Sequence, residues 1–248
     1  MALAMLGGRL ARFLAQPREG YARGPSSRPE LLAATLRRGD VLLVEGTSRF
    51  ASAIKYLTQS TWSHAALCLG VEQDGGEPMF VDADIHTGVR TVPLSEFAGL
   101  HARICRPVGL APEEIGRVAG YMLARVGDRY DLKNGFDLAR YLLWQPPVPD
   151  PLKRRMLALG SGEPTRAICS TLLAQAFESI RYPILPEIEL LDIGTAAGRR
   201  TREEILHIRH YSLYTPRDFD VSPFFQVVKP RIEAGFDFRR LVWGGSAG

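Results

Sequence analysis

The chain has 248 residues, 46% of them hydrophobic, 9% aromatic and 23% charged, which suffices for one large domain or two small ones with a sizeable core and excludes a disordered, collagen-like or coiled-coil protein. Arg, Lys, Asp, Glu or Gly interrupts every apolar stretch before the roughly 18 to 20 residues a membrane-crossing helix needs. The net charge of +4 is unevenly placed: residues 1–38 carry seven arginines against Glu19 and Glu30, so that segment holds +5 and the rest of the chain sums to −1. A nearly neutral body argues against a nucleic-acid groove, and any basic interaction belongs to the N-terminal arm.

In that arm, Leu3, Leu6, Leu10, Phe13 and Leu14 recur at helical spacing with Arg9 and Arg12 on the other side, which predicts a short amphipathic helix over residues 3–15. Such a stripe either docks on the protein's own body or makes a peripheral contact with an anionic membrane surface. The start lacks the pattern of a secretory signal, so a cytoplasmic location is expected, with membrane-surface association through residues 3–15 as the alternative. Residues 16–28, with Gly20, Gly24, Pro25, Ser26 and Ser27, read as linker. Arm and linker are taken as residues 1–37 and the folded domain as residues 38–248.

The run Gly39 to Gly46 predicts a buried strand, and residues 48–58 a helix. Ser63 to Gly70 is a second strand, Asp74-Gly75-Gly76 a turn, and Met79 to Asp84 a third strand, which together form an antiparallel hairpin. Arg90 to Pro93 and Ala102 to Pro107 are further strands, and Pro112-Glu113-Glu114 opens a helix. A turn over Gly127 to Asp131 leads to a helix over 134–144, which the proline-rich run from Gln145 to Pro151 ends. A helix starts at or just before Cys169, and excursions at about 145–167 and 183–210 flank it. The simplest organisation is one α+β domain with two excursions.

Cys68, Cys105 and Cys169 form no close pair, so neither a disulfide framework nor a Cys-x-x-Cys site is expected. A nucleophilic cysteine must reach the thiolate state near neutral pH, and a helix N-terminus or an adjacent histidine promotes this. Cys169 has the first by position, and the free amides of such a turn can receive an oxyanion. Cys68 and Cys105 lie inside apolar strands, where a thiol packs. His64 opens an apolar strand after Trp62-Ser63 and would be held rigidly there, as a structural residue or as a base. His86, His101, His207 and His210 are expected at the surface. Asp82 and Asp84, two apart on the next strand, share a face; either can orient His64 or cap the following turn. His64, Asp82, Asp84 and His86 have the wrong spacing for a standard metal site.

The segments Arg38-Gly39-Asp40, Trp62-Ser63-His64, Val81-Asp82-Ala83, Tyr130-Asp131, Ile168-Cys169-Ser170 and Tyr214 to Phe224, in this order, resemble the permuted papain-like amidases of the YaeF/YiiX group, relatives of the NlpC-type peptidases and of lecithin:retinol acyltransferase. The resemblance implies a circularly permuted papain-like α+β fold, with a mostly antiparallel sheet packed against the nucleophile helix. It implies Cys169 as nucleophile, His64 as base and Asp82 as third member, where the family commonly carries Glu. Asp84, Tyr130 and Ser170 are candidate supporting residues. The implied activity is hydrolysis of an amide or ester through a thioester, on a peptide or lipid-like acyl substrate, without cofactor or metal. Two alternatives stand beside it: a lipid acyltransferase with the same Cys-His chemistry, and a non-enzymatic membrane-associated binding module.

Overall fold

The structure, a computed structural model, describes residues 28–71, 75–84, 87–128, 168–194, 200–207, 211 and 214–240. The expected helices over 3–15 and 134–144, the excursion at 145–167, Tyr130 and His86 lie outside these residues.

Six strands form one antiparallel sheet: β1 (Val41–Glu45), β2 (His64–Val71), β3 (Pro78–Asp84), β4 (Gly88–Pro93), β5 (His101–Pro107) and β8 (Phe225–Val228), in the order β4-β3-β2-β1-β5-β8. β1 is central, and its unbroken run Val41-Leu42-Leu43-Val44 suits a strand covered on both sides, since all four are at most 1% exposed. Asp40, at its start, is buried because it accepts from the Arg37 amide and from Nε and Nη2 of Arg106, each at 2.8 Å. Gly39 before it has φ +91°, and a Cβ there would sit 2.8 Å from Ile115, so only glycine fits this turn.

Side-chain alternation divides the core into two layers. Val41, Leu43, Ala65, Leu67, Val81, Ala83 and Cys105 face one layer, which α3 (Pro112–Leu123) and α4 (Ile168–Glu178) cover with Val118, Met122, Leu172, Leu173 and Phe177. Each large side chain removed from water there contributes roughly 1.5–3 kcal/mol. Leu42, Val44, Ala66, Cys68, Phe80 and Ile104 face the other layer, closed by α1 (Pro29–Thr35) and a 3-10 turn over Leu94–Phe97. Leu32 and Leu36 are buried in this second layer. Residues 29–36 are therefore part of the packed body, not of the arm and linker to which the sequence reading assigns them: Leu32 of the helix and Leu36, the residue that ends it, both cover the sheet.

α2 (Arg49–Thr58) follows β1, capped by Ser48, whose hydroxyl accepts from the Ala51 amide. The segment after α4 stays in the core as far as Ile184, which is 1% exposed. Beyond it, in the expected excursion at 183–210, β6 (Glu187–Gly194) and β7 (Arg200–His207) pair as an antiparallel hairpin that shares no ladder with the main sheet. α5 (Pro216–Val221) and α6 (Pro230–Glu233) complete the described elements before a short 3-10 turn at Phe238–Arg240.

Candidate active site

The three residues Trp62-Ser63-His64 are fixed one after another. The Trp62 indole donates to Asp220 Oδ2 of α5 at 2.9 Å, and the Arg103 guanidinium lies 4.9 Å over its ring. The Ser63 hydroxyl accepts from the Gly46 amide at 2.9 Å, and a Cβ on Gly46 would come 2.9 Å from that oxygen. His64 then enters β2 opposite Val44 of β1. A bulky neighbour and a buried hydroxyl thus set where the imidazole begins, before any partner holds its ring.

Its partners come from two other elements. His64 Nε2 and Asp82 Oδ1 of β3 form a direct hydrogen-bonded ion pair. Cys169 of α4 lies within hydrogen-bonding reach of the same imidazole; with Nε2 engaged by Asp82, Nδ1 is the nitrogen left for the sulfur. The ring stands between the two core layers: Phe97 of the second layer is 6.4 Å away between centroids, and Cys169 belongs to the first. The His64 side chain keeps 24% exposure, whereas Cys169 keeps 4%.

Asp84 has the turn-capping role that the sequence left open: its Oδ1 accepts from the amide of Thr87 at 3.1 Å and from its hydroxyl at 3.3 Å. Cys169 is the second residue of α4, so its own amide is among those without an intrahelical acceptor. Ser170 is fully buried and its hydroxyl donates to the Tyr214 carbonyl at 2.9 Å, which ties the first turn of α4 to the chain entering α5. The structure brings together His64, Asp82 and Cys169; it places Ser170 beside them as a tether and Asp84 at the turn.

Burial disfavours a charged His64, but its electrostatic interaction with Cys169 and its hydrogen bond and charge interaction with Asp82 outweigh it and raise the imidazole well above its ordinary value of 6.5. Burial likewise works against ionised Asp82, yet the hydrogen bond and charge of His64, the charge of Arg90 and the Ala83 amide bring its carboxyl below the ordinary 3.8. For Cys68 and Cys105 burial outweighs the nearby arginines, and the Gly70 amide at Cys68, and pushes both thiols up to about 12.

Arg90 was not singled out by its sequence. It is the cross-strand partner of Asp82 in the β3–β4 ladder; its Nη2 lies 3.6 Å from Asp82 Oδ2 and 2.8 Å from Glu96 Oε1. The readable signal was the tight Asp84–Gly88 connection, which sets Arg90 opposite Asp82 once the two runs are taken as a hairpin. His101 departs from the expected surface position: its Nδ1 is 3.0 Å from Glu45 Oε2, its ring packs 5.0 Å from Trp62, and Glu45, 5% exposed, also meets Lys55 at 3.3 Å. A buried carboxylate at the end of β1 needs hydrogen-bond partners, and β5 runs directly alongside to supply the His101 imidazole. Among the described residues no three of His, Cys, Asp and Glu are grouped to hold a metal ion, and no helix is long and apolar enough to cross a membrane.

Residues 35–141 match the family described as permuted papain-like amidase enzyme, YaeF/YiiX, C92 family. No curated protein matches the chain. Among solved structures the chain is similar to one titled crystal structure of metalloprotein yiiX from Escherichia coli O157:H7, at 15% identity and a TM-score of 0.46, over 78% of this chain and 96% of that one. The family match spans β1 to β5 and so takes in the strands that carry His64 and Asp82. With the six-stranded antiparallel sheet and its covering helices, it bears out the resemblance carried by the sequence motifs: over residues 35–141 the chain is similar to the permuted papain-like amidases YaeF and YiiX.

Proposed function

We propose that the protein hydrolyses an amide or ester bond through a thioester on Cys169, with His64 as base and then acid, and Asp82 as the group that holds the imidazole in place. The observation that carries this is one imidazole bonded through Nε2 to a buried carboxylate and placed beside a cysteine at a helix N-terminus. In the first half-reaction the thiolate sulfur bonds to the acyl carbon, the carbonyl oxygen takes the negative charge, and first-turn amides of α4, that of Cys169 included, supply the donors for it. The C–N or C–O bond then breaks, and the His64 proton leaves with the amine or alcohol. In the second, His64 takes a proton from water, the hydroxide attacks the thioester, the C–S bond breaks, and the carboxylic acid departs. The proposed substrate is a peptide or a lipid-like acyl compound.

The test uses p-nitrophenyl esters of short and long fatty acids, with intact-protein and peptide mass spectrometry after rapid acid quench. An acyl adduct on the Cys169 peptide is expected, absent in Cys169→Ala and slow to form in His64→Ala. Turnover that survives in Cys169→Ala would overturn the assignment. Adding a primary alcohol or amine separates hydrolysis from acyl transfer: a hydrolase continues to release free acid, whereas a transferase diverts most product to the added acceptor.

A further inference from the structure

The described residues place three of their most exposed large apolar side chains within seven positions near the end of the chain: Ile232 at 60%, Phe236 at 51% and Phe238 at 58%. Every residue from 231 to 240 is exposed. Four cations share the stretch 229–240, Lys229, Arg231, Arg239 and Arg240, against Glu233 and Asp237, for a local charge of +2. The Arg239 guanidinium lies 4.6 Å over the Phe238 ring, and its ion pair to Asp237, at 3.8 Å, is solvent-exposed. Exposed aromatic and aliphatic side chains interleaved with arginines do not arise from packing, because none of these three is in either core layer.

The position of this stretch narrows what covers it. α6, which opens it, packs against α1, and α1 begins at Pro29, directly after the arm. The exposed segment and Arg28, the residue just before α1, therefore lie on one side of the molecule. The residues that precede α1 carry net charge of the same sign, +4 over residues 1–28, and a second copy of the chain would present the same cations. An occupant that is both anionic and able to take up apolar side chains meets both demands, and a bilayer with acidic headgroups is such an occupant. We infer that residues 229–240 form a docking surface for an anionic lipid bilayer, with Ile232, Phe236 and Phe238 entering the headgroup boundary and the arginines contacting phosphates or carboxylates. This surface stands independently of the reaction assigned to Cys169.

The test is co-sedimentation of the full chain with vesicles of phosphatidylcholine containing 30% phosphatidylserine, and with phosphatidylcholine alone. Three proteins are compared: the parent, Phe236→Ser with Phe238→Ser, and Arg9→Gln with Arg12→Gln in the arm. Because both phenylalanines are exposed, their replacement should leave the melting temperature unchanged. The expected result is binding to the acidic vesicles only, weakened at least tenfold by the paired phenylalanine change, weakened by raising salt from 0.1 to 0.5 M, and retained in large part by the arm variant. No binding by the parent overturns the inference, as does equal binding by the phenylalanine variant, which would assign the contact to the arm. Binding to a single-stranded oligonucleotide in preference to the vesicles would assign the basic segment to nucleic acid instead.

Discussion

Asp82→Asn removes one charge at nearly constant size from a side chain that is 4% exposed and touches both His64 and Arg90. A hydrogen bond to a charged group contributes about 1.5–3 kcal/mol, and one between neutral partners about 0.5–1.5 kcal/mol. The Asn carbonyl can still accept from His64 Nε2, so the loss is the difference, on the order of 1–1.5 kcal/mol, or about one pH unit at 1.36 kcal/mol per unit. The His64 titration, held well above 6.5 in the parent, should fall by that amount and stay above the ordinary value, because Cys169 still faces the ring. The measurement is an NMR titration of Cε1-labelled histidine, with His64 identified by its absence in His64→Gln.

Stability should follow with a definite sign. His64 has a raised folded value, so its contribution is whole below about pH 6.5 and is lost as pH rises through that higher value. Asp82 has a lowered folded value, so its contribution is whole above about pH 3.8 and is lost as pH falls through the lower one. Asp82→Asn should bring the alkaline decline to lower pH and remove one source of acid sensitivity, as read by urea unfolding across pH 3 to 9. An unchanged His64 titration in Asp82→Asn would refute the coupling, whatever happened to turnover.

Arg90→Gln should move the acid-side loss of stability to higher pH by less than about one unit: at 3.6 Å the pair interacts by about 1 kcal/mol in water-like surroundings and several-fold more at lower dielectric, and 37% exposure with Glu96 as a competing partner favours the smaller figure. Iodoacetamide at pH 6, followed by peptide mapping, should label Cys169 before Cys68 and Cys105, whose thiols are pushed up to about 12; equal labelling of the three in the native protein would contradict the assignment of Cys169 as nucleophile. Ser170→Ala should cost about 0.5–1.5 kcal/mol in unfolding free energy by removing the hydrogen bond that its hydroxyl donates to the Tyr214 carbonyl, while the His64 titration stays in place; a collapse of that titration would make Ser170 part of the charge arrangement.

The sheet was readable because its strands carry their own signals: the apolar run of β1, the Gly75-Gly76 turn between β2 and β3, and the short link into β4 fix neighbours and registers locally. Cys169 was readable from its place in the first turn of an apolar helix. The two-layer division explains what was missed. α1 was read as linker because its seven residues, Pro29 to Thr35, are too few to establish a helical period, although Leu32 and Leu36 pack in the core. The Glu45–His101 pair joins strands separated by 56 positions, and no local pattern connects them. β6 and β7 read as a charged excursion because Glu189, Asp192, Arg202, Glu203 and Glu204 hide the alternation of a hairpin that lies outside the main sheet.

The choice between Asp82 and Asp84 follows from register. β2 and β3 pair Leu67 with Val81 and Cys68 with Phe80; continued toward the site, this register sets Ala66 beside Asp82 and His64 beside Asp84. The acid directly across from the histidine is thus the one given to the turn, and the acid that binds the ring is its diagonal neighbour. Diagonal residues on one face of an antiparallel pair have Cα atoms about 7–8 Å apart, a span that an imidazole and a short carboxylate close together. A Glu at position 82 would carry one more methylene into a site where Asp82 is already buried between His64 and Arg90. Asp82→Glu should therefore lose about 1–3 kcal/mol of stability through overpacking and lower turnover by displacing the ring from Cys169, even though Glu is common at this place in the family that the sequence resembles. A variant equal to the parent in unfolding free energy and turnover would show that the site accommodates the longer acid, and that the diagonal register does not dictate its length.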